Sequence, residues 1–272
     1  MIASQIEELR ETLLDIMDEV HRICSENNIS YYIIGGTALG AVRHKGFIPW
    51  DTDIDIAMKR EDYDRFLSIS NQKLAPAYYC AYYGNTKAWY HPHALVFKKK
   101  TKILWNYDYY RNKRECPIYI DVFPLDRVPS DTRKMHRQEK NVRRKMYLQS
   151  RRECVLYQRN STLVCWAKEL ISIILHIQKN ESFNRRLDMA MSCYKSEKND
   201  YICSMASHYS YEKQCMSEAI YGTPQKYEFE GRAYYGPEQI ERYLSQLFGD
   251  YMKLPPEDKR TENMDYIEKI IL

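Results

Sequence analysis

An α+β fold, a mixed sheet flanked by helices, is predicted for this chain by three observations. Two stretches, Asp51 to Ile56 and Ile118 to Phe123, alternate with period two around carboxylates. A short apolar run, Tyr31 to Ile34, ends on Gly35 and Gly36, and long stretches elsewhere repeat at helical spacing. A mainly helical insertion over about 131–220 and a C-terminal return onto the core complete the expected architecture.

The first element is an amphipathic helix. Ile6, Leu9, Leu13, Ile16, Val20 and Ile23 recur at steps of three and four, giving one apolar stripe to pack on the sheet. His21 beside it is a surface or packing residue. Tyr31 to Ile34 reads as a strand, ended by two glycines that allow close backbone approach and positive φ. The Thr37 hydroxyl either caps the next turn, Ala38 to Arg43, or joins the N–H groups near a helix start. Asp51, Asp53 and Asp55 then share one strand face, while Ile54 and Ile56 point into the core.

Arg60 to Ser70 reads as a helix, with Tyr63, Phe66, Leu67 and Ser70 on one side. Tyr78 to Tyr83 and Leu95 to Lys99 are short strands, bounded by the turn signals Gly84-Asn85 and His91-Pro92. Ile118 to Phe123 alternates as another strand whose sole charge is Asp121. From Asp131 to Arg159 the chain is strongly basic and helical, and an apolar run from Leu163 to Ile177 follows. That run is shorter than the roughly 20 residues a membrane span needs. Its first reading is a buried helix behind a solvated basic face; its second is a helix pair lying on an anionic membrane. Further helix extends to about Lys198. Pro237 to Phe248 is a helix stopped by Gly249, and Pro255-Pro256 fixes an extended bend.

Composition narrows the class. The chain has 272 residues, 44% of them hydrophobic, which suits a globular core of one large or two small domains. Its formal net charge of +4 lends no general support to nucleic-acid binding, although basic helices also contact RNA. Eight cysteines without a C-x-x-C pair favour free thiols in a reducing cytoplasm over disulfides or a zinc site. The first residues carry acids throughout and are not read as a signal peptide.

The acidic positions carry the chemistry. Three carboxylates on one strand face repel unless something positive neutralises them, and hard divalent cations with oxygen ligands do so. Mg²⁺ or Mn²⁺ is therefore expected at Asp53 and Asp55. Asp121, costly to bury unpaired, completes three carboxylates bridging two ions if its strand lies alongside. Asp51 supports them from one strand step earlier. Gly35, Gly36 and Thr37 offer phosphate-binding groups, and Arg43, the best of the Arg43-His44-Lys45 trio, offers positive charge. Taken alone, Lys98 reads as a solvated strand-edge lysine. Trp50 either stacks a base or sugar or anchors the core. Twenty-five tyrosines, concentrated in 78–110 and 194–251, suit sugars or a quaternary ammonium, with no individual one assigned.

The Gly-Gly turn, the Asp-x-Asp strand and a third Asp on a neighbouring strand resemble the nucleotidyltransferase superfamily with its polymerase-β-like fold. More narrowly, GGTALGAVRHKGFIPWDTDIDIAM (35–58), IDVFPLD (120–126), FEG (229–231) and FGDYMKLPP (248–256) are similar to the LicD family. The similar blocks cover about 31–66, 94–126 and 227–256. Thr52 departs from the family, which often has Asp there, but it points away from the acidic face. The resemblance implies transfer of phosphocholine, or a related phospho-alcohol such as ribitol phosphate, from CDP-choline or another CDP-alcohol to a sugar hydroxyl. The acceptor implied is a cell-surface glycan or its precursor, such as lipopolysaccharide or teichoic acid, and CMP is released. Asp53, Asp55 and Asp121 are then both catalytic and metal-binding, and Gly35, Gly36, Thr37, Arg43 and Lys98 bind the donor. The regions expected are a nucleotidyltransferase-like catalytic core (1–130), a helical acceptor-side insertion (131–220) and a C-terminal segment packing back (221–272). The expected location is the cytoplasm, at the inner membrane face where the acceptor is lipid-linked, with no nucleic-acid partner.

Two other readings stand beside this one. A nucleotidyltransferase modifying a small molecule such as an aminoglycoside would attach the nucleotide itself to its substrate. A non-catalytic binding module of the same fold would bind no divalent metal.

Overall fold

The computed structural model describes residues 3–87, 89–105, 111, 115–257, 260 and 267–272. Helix α1 (Ala3–Glu26) buries the predicted stripe, with Leu9, Leu13, Ile16, Val20 and Ile23 essentially inaccessible to solvent. Strand β1 (Tyr32–Ile33) leads into α2 (Gly35–His44), and β2 (Asp55–Lys59) returns antiparallel to β1. After α3 (Arg60–Lys73) come β3 (Tyr78–Ala81) and β4 (Ala94–Lys98), then β5 (Lys102–Trp105), β6 (Glu115–Cys116) and the long β7 (Tyr119–Arg127). The main sheet runs β1-β2-β7-β4-β3, with β2 and β7 parallel and the other pairs antiparallel. This is a mixed sheet flanked by helices, the expected α+β class. Helix α1 packs on β4 and β7, covering the sheet face opposite the carboxylates.

Region 131–220 is not purely helical. Helix α4 (Thr132–Arg152) is capped by Asp131, whose carboxylate accepts the Lys134 N–H at 2.8 Å, and α5 (Thr162–His176) and α6 (Asn180–Ser192) follow. Strand β8 (Tyr201–Cys203) then pairs with Asp126 and Arg127 at the end of β7. It is followed by α7 (Tyr211–Gln214), β9 (Cys215–Ser217), which pairs with β8, and α8 (Glu218–Tyr221). A second apolar cluster around Val142, Leu187, Met191, Cys203 and Tyr211 fills the space beneath these helices.

The C-terminal part returns to the core. Strands β10 (Gln225–Phe229) and β11 (Arg232–Gly236) form a hairpin whose turn, Glu230 (φ +50°) and Gly231 (φ +70°), has the left-handed pair that suits a two-residue loop. Helix α9 (Ile240–Phe248) packs on α2 and stops at Gly249 (φ +72°), and β12 (Ile267–Ile271) pairs with β5.

Several expectations need correction. Helix α2 begins at Gly35 rather than Ala38, so the glycines are its first turn and not a separate bend. Residues 51–54 lie outside any strand, with Asp51, Thr52 and Asp53 all partly exposed, and pairing starts at Asp55. Helix α9 starts three residues after Pro237. The apolar helix α5 is not buried: Leu163, Trp166, Leu170, Ile173, Ile174 and Ile177 are all more than half exposed. Among the described residues the cysteines form no disulfide. Tyr107, Tyr109 and Tyr110, part of the tyrosine-rich stretch, lie outside the described residues.

Candidate active site

The acidic face is assembled by register. Asp55 opens β2 directly opposite Asp121 on the parallel strand β7, so the two side chains leave the same sheet face one strand spacing apart, about 5 Å. The Asp121 N–H donates to Ile54 O at 3.0 Å, which sets that register. Ile54 and Ile56 are fully buried, leaving Asp51, Asp53 and Asp55 on the outer side of the alternation.

These carboxylates sense one another. Burial, then the charges of Asp55 and Asp51, hydrogen bonding to Asp51 and the charge of Asp121 hold the Asp53 carboxyl well above the usual carboxylate range. Burial, then the charges of Asp121 and Asp51, does the same to Asp55. Asp51, Asp53 and Asp55 line a cleft of about 330 Å³ together with Gly36, Leu39, Ile48, Trp50, His208, Tyr209 and Phe248. The Tyr209 hydroxyl is pushed up to about 12 by burial and by the three nearby carboxylates.

The glycines are needed for close approach. A Cβ at Gly36 would lie 2.6 Å from Asp51 Oδ2, and one at Gly35 would lie 3.0 Å from Asp55 Oδ2. Gly35 also sits at φ +56°, where only glycine is unstrained. Its N–H is not presented to the cleft, because it donates to the buried Tyr243 hydroxyl at 2.9 Å. The Gly36 N–H lies in the first helical turn, where no intrahelical acceptor exists. Thr37 is buried and caps nothing; its Oγ1 accepts the Asp55 N–H at 2.9 Å, tying α2 to the acidic strand.

Arg260 stands near the cleft over Trp50, and Arg43 feels its charge. Arg43 donates to Tyr251 O at 3.0 Å and to His44 Nε2 at 2.9 Å, and burial and the charge of Arg260 lower its pKa. Arg260 lies over the Trp50 ring at 5.7 Å. Lys98 is elsewhere: it alternates onto the α1 side of the sheet with Val96 and forms a 2.6 Å ion pair with Asp15.

Residues not foreseen from the sequence complete the site. His93, nearly buried, donates from Nε2 to Asp121 Oδ1 at 2.6 Å, and its ring lies 4.1 Å from that of Phe123. Trp89 positions this segment by donating from Nε1 to His93 O at 3.1 Å. Arg143 of α4 donates to Ser207 O and Tyr209 O, fixing the loop that brings His208 and Tyr209 to the cleft. Arg10 of α1 donates to Ile48 O, Pro49 O and Asp51 O, clamping the loop before the acidic strand.

The donor set suits a hard divalent cation: carboxylate oxygens only, partly exposed and mutually repelling. Among the described residues no three His, Cys, Asp or Glu side chains already stand gathered around one position. The β2–β7 register places Asp55 opposite Asp121, and Asp53 lies two residues before Asp55, outside the strand.

The cleft thus sets carboxylates beside the glycine-led first turn of α2. Comparison with known proteins gives the class of protein. Residues 28–156 match the family model described as LicD/FKTN/FKRP, nucleotidyltransferase domain. The chain is 32% identical over 248 residues to the lipopolysaccharide cholinephosphotransferase LicD of Haemophilus influenzae, covering 90% of each protein. It is also 34% identical over 119 residues to an uncharacterized protein of Rickettsia prowazekii, covering 42% of this chain and 45% of that one. The chain belongs to the LicD family and is a transferase.

Proposed function

We propose that this enzyme transfers phosphocholine, or a related phospho-alcohol, from a CDP-activated donor to a sugar hydroxyl of lipopolysaccharide or a comparable surface glycan, releasing CMP. The observation that carries the reading is the in-register pairing of Asp55 with Asp121, with Asp53 adjacent, beside the first turn of α2. The name of the Haemophilus relative supports choline as the alcohol and lipopolysaccharide as the acceptor.

The residues divide the work as follows. Gly36 lets the donor diphosphate approach the first turn of α2, whose free N–H groups and dipole favour anions. Arg43 and Arg260 offset the charge of that diphosphate. Asp53 and Asp55, with Asp121, would hold Mg²⁺ or Mn²⁺, which would neutralise phosphate oxygens and make the acceptor hydroxyl more acidic. Asp121 takes the proton of the attacking hydroxyl, and His93 fixes the orientation of its carboxylate. The hydroxyl oxygen bonds to the phosphorus nearer the alcohol as the bond to the CMP oxygen breaks, in line. Trp50, Tyr209 and Phe248 supply an aromatic wall able to hold a quaternary ammonium by cation–π attraction.

The test is product analysis after incubation with CDP-choline, CDP-ribitol and CDP-glycerol, Mg²⁺ and lipopolysaccharide. Labelled alcohol on the glycan with equimolar free CMP is expected. A nucleotide attached to the acceptor would instead make this a nucleotidyltransferase, and no turnover together with no divalent-ion binding would make it a binding module.

A further inference from the structure

Helix α5 is amphipathic in the wrong sense for a soluble helix. Its inward side is Cys165, Lys168 and Ser172, held by polar contacts: Ser172 Oγ donates to Arg152 O at 2.9 Å, and Lys168 Nζ donates to Val155 O and Asn160 Oδ1. The buried Arg152 guanidinium donates to Leu175 O and Gln178 O, fastening the end of the helix to α4. Its outward side is Leu163, Val164, Trp166, Leu170, Ile173 and Ile174, with Leu163 83% and Trp166 71% exposed. Monomeric proteins rarely leave so continuous an apolar face in water.

The surrounding charge identifies the occupant. Residues 133–179 contain twelve Lys and Arg against three Glu, although the whole chain is only +4. The rest of the molecule is therefore net acidic. Exposed Arg159 and Lys179 bracket α5, and Arg151 and Lys168 line a groove of about 230 Å³ with Ile171 and Tyr157 beside the apolar face. A second copy docked two-fold on this face would bring two such basic regions together, whereas an anionic surface attracts this region and repels the remainder. No helix among the described residues is long and apolar enough to cross a bilayer, and α5, at 15 residues, spans only about 22 Å.

We infer that α5 lies in the interface of an anionic phospholipid bilayer, its apolar side among the acyl chains and the flanking cations at the headgroup phosphates. Trp166 sits at the depth where indole rings anchor. A segment links the docked region to the acidic site: His176 at the end of α5 meets Tyr90 at 3.3 Å, and residues 89–93 bring His93 to Asp121. The inference rests on α5 itself and stands whatever alcohol the enzyme transfers.

The experiment is flotation of the full chain with phosphatidylcholine vesicles, with and without about a third phosphatidylglycerol. The expected result is flotation with the anionic vesicles only, weakened by salt, and reduced about tenfold or more in the double variant Leu170→Glu, Ile174→Glu. Both positions are more than half exposed, so the variant keeps the fold, which circular dichroism verifies. Wild-type protein left unbound by anionic vesicles, or a double variant that floats equally well, overturns the inference. So does a wild-type dimer without vesicle binding that the double variant converts to monomer.

Discussion

Asp55 faces two ways. Its N–H is tied to the buried Thr37 hydroxyl, whereas its carboxylate looks onto Asp121 and Asp51. Such an arrangement sacrifices stability for function, and the sign can be worked out. A carboxyl whose pKa is raised in the folded state binds protons more tightly folded than unfolded, so stability falls as pH rises from about 4 through the raised value. In magnesium-free buffer at neutral pH, Asp55→Asn is therefore expected to raise stability by about 1 kcal/mol in urea melts while abolishing turnover; a destabilised variant would contradict the repulsion. Thr37→Val leaves the Asp55 N–H without its acceptor and should cost about 1–3 kcal/mol, read from the same melts. Gly36→Ala must displace Asp51 Oδ2, and a fall in kcat of about tenfold or more is expected with the fold retained. The Asp55–Asp121 pairing was legible in part, since each stands in an alternating apolar stretch. His93 was not: a histidine after Pro92 reads as part of a turn, and only the β4–β7 pairing carries it to Asp121. Lys98 misled because its face is set by strand parity, which places it with Val96 against α1.

At the scale of elements, β7 is the hub. Its first half pairs with β2 and β4 and carries Asp121; its last residues pair with β8 and carry Asp126. Asp126 is fully buried and takes two 2.7 Å hydrogen bonds from Arg60, whose remaining nitrogen reaches Asp188 of α6 at 2.9 Å. Arg60 thus ties α3, β7 and α6 together. Arg60→Met strands Asp126 without a counter-charge and should destabilise by about 3–5 kcal/mol, measured by denaturant unfolding. Helices α1 and α3 were legible from helical spacing, α4 and α5 from long basic and apolar runs, and α9 from the Gly249 stop. Strands β8 and β9 were not, since three residues give no period, and they draw the 131–220 region into the main sheet. The burial of α5 could not be judged from its composition, because an apolar helix reads the same whether its partner is protein or lipid.

For the whole molecule, charge and apolar surface are segregated. The basic helices and the exposed α5 lie in one region, and the acidic cleft in another, joined by residues 89–93 and by the Arg143-anchored loop at 207–209. The α+β class was predictable from two alternating strands and the helical stripes, and the family from blocks that surround the cleft in the folded chain. The most direct test of the account is the rate of CMP release from CDP-choline with Mg²⁺ and acceptor, compared between the wild-type enzyme and the variants Asp53→Asn, Asp55→Asn and Asp121→Asn. A loss of about a thousandfold or more is expected in each, with circular dichroism unchanged. Wild-type turnover by a folded Asp121→Asn variant would contradict it.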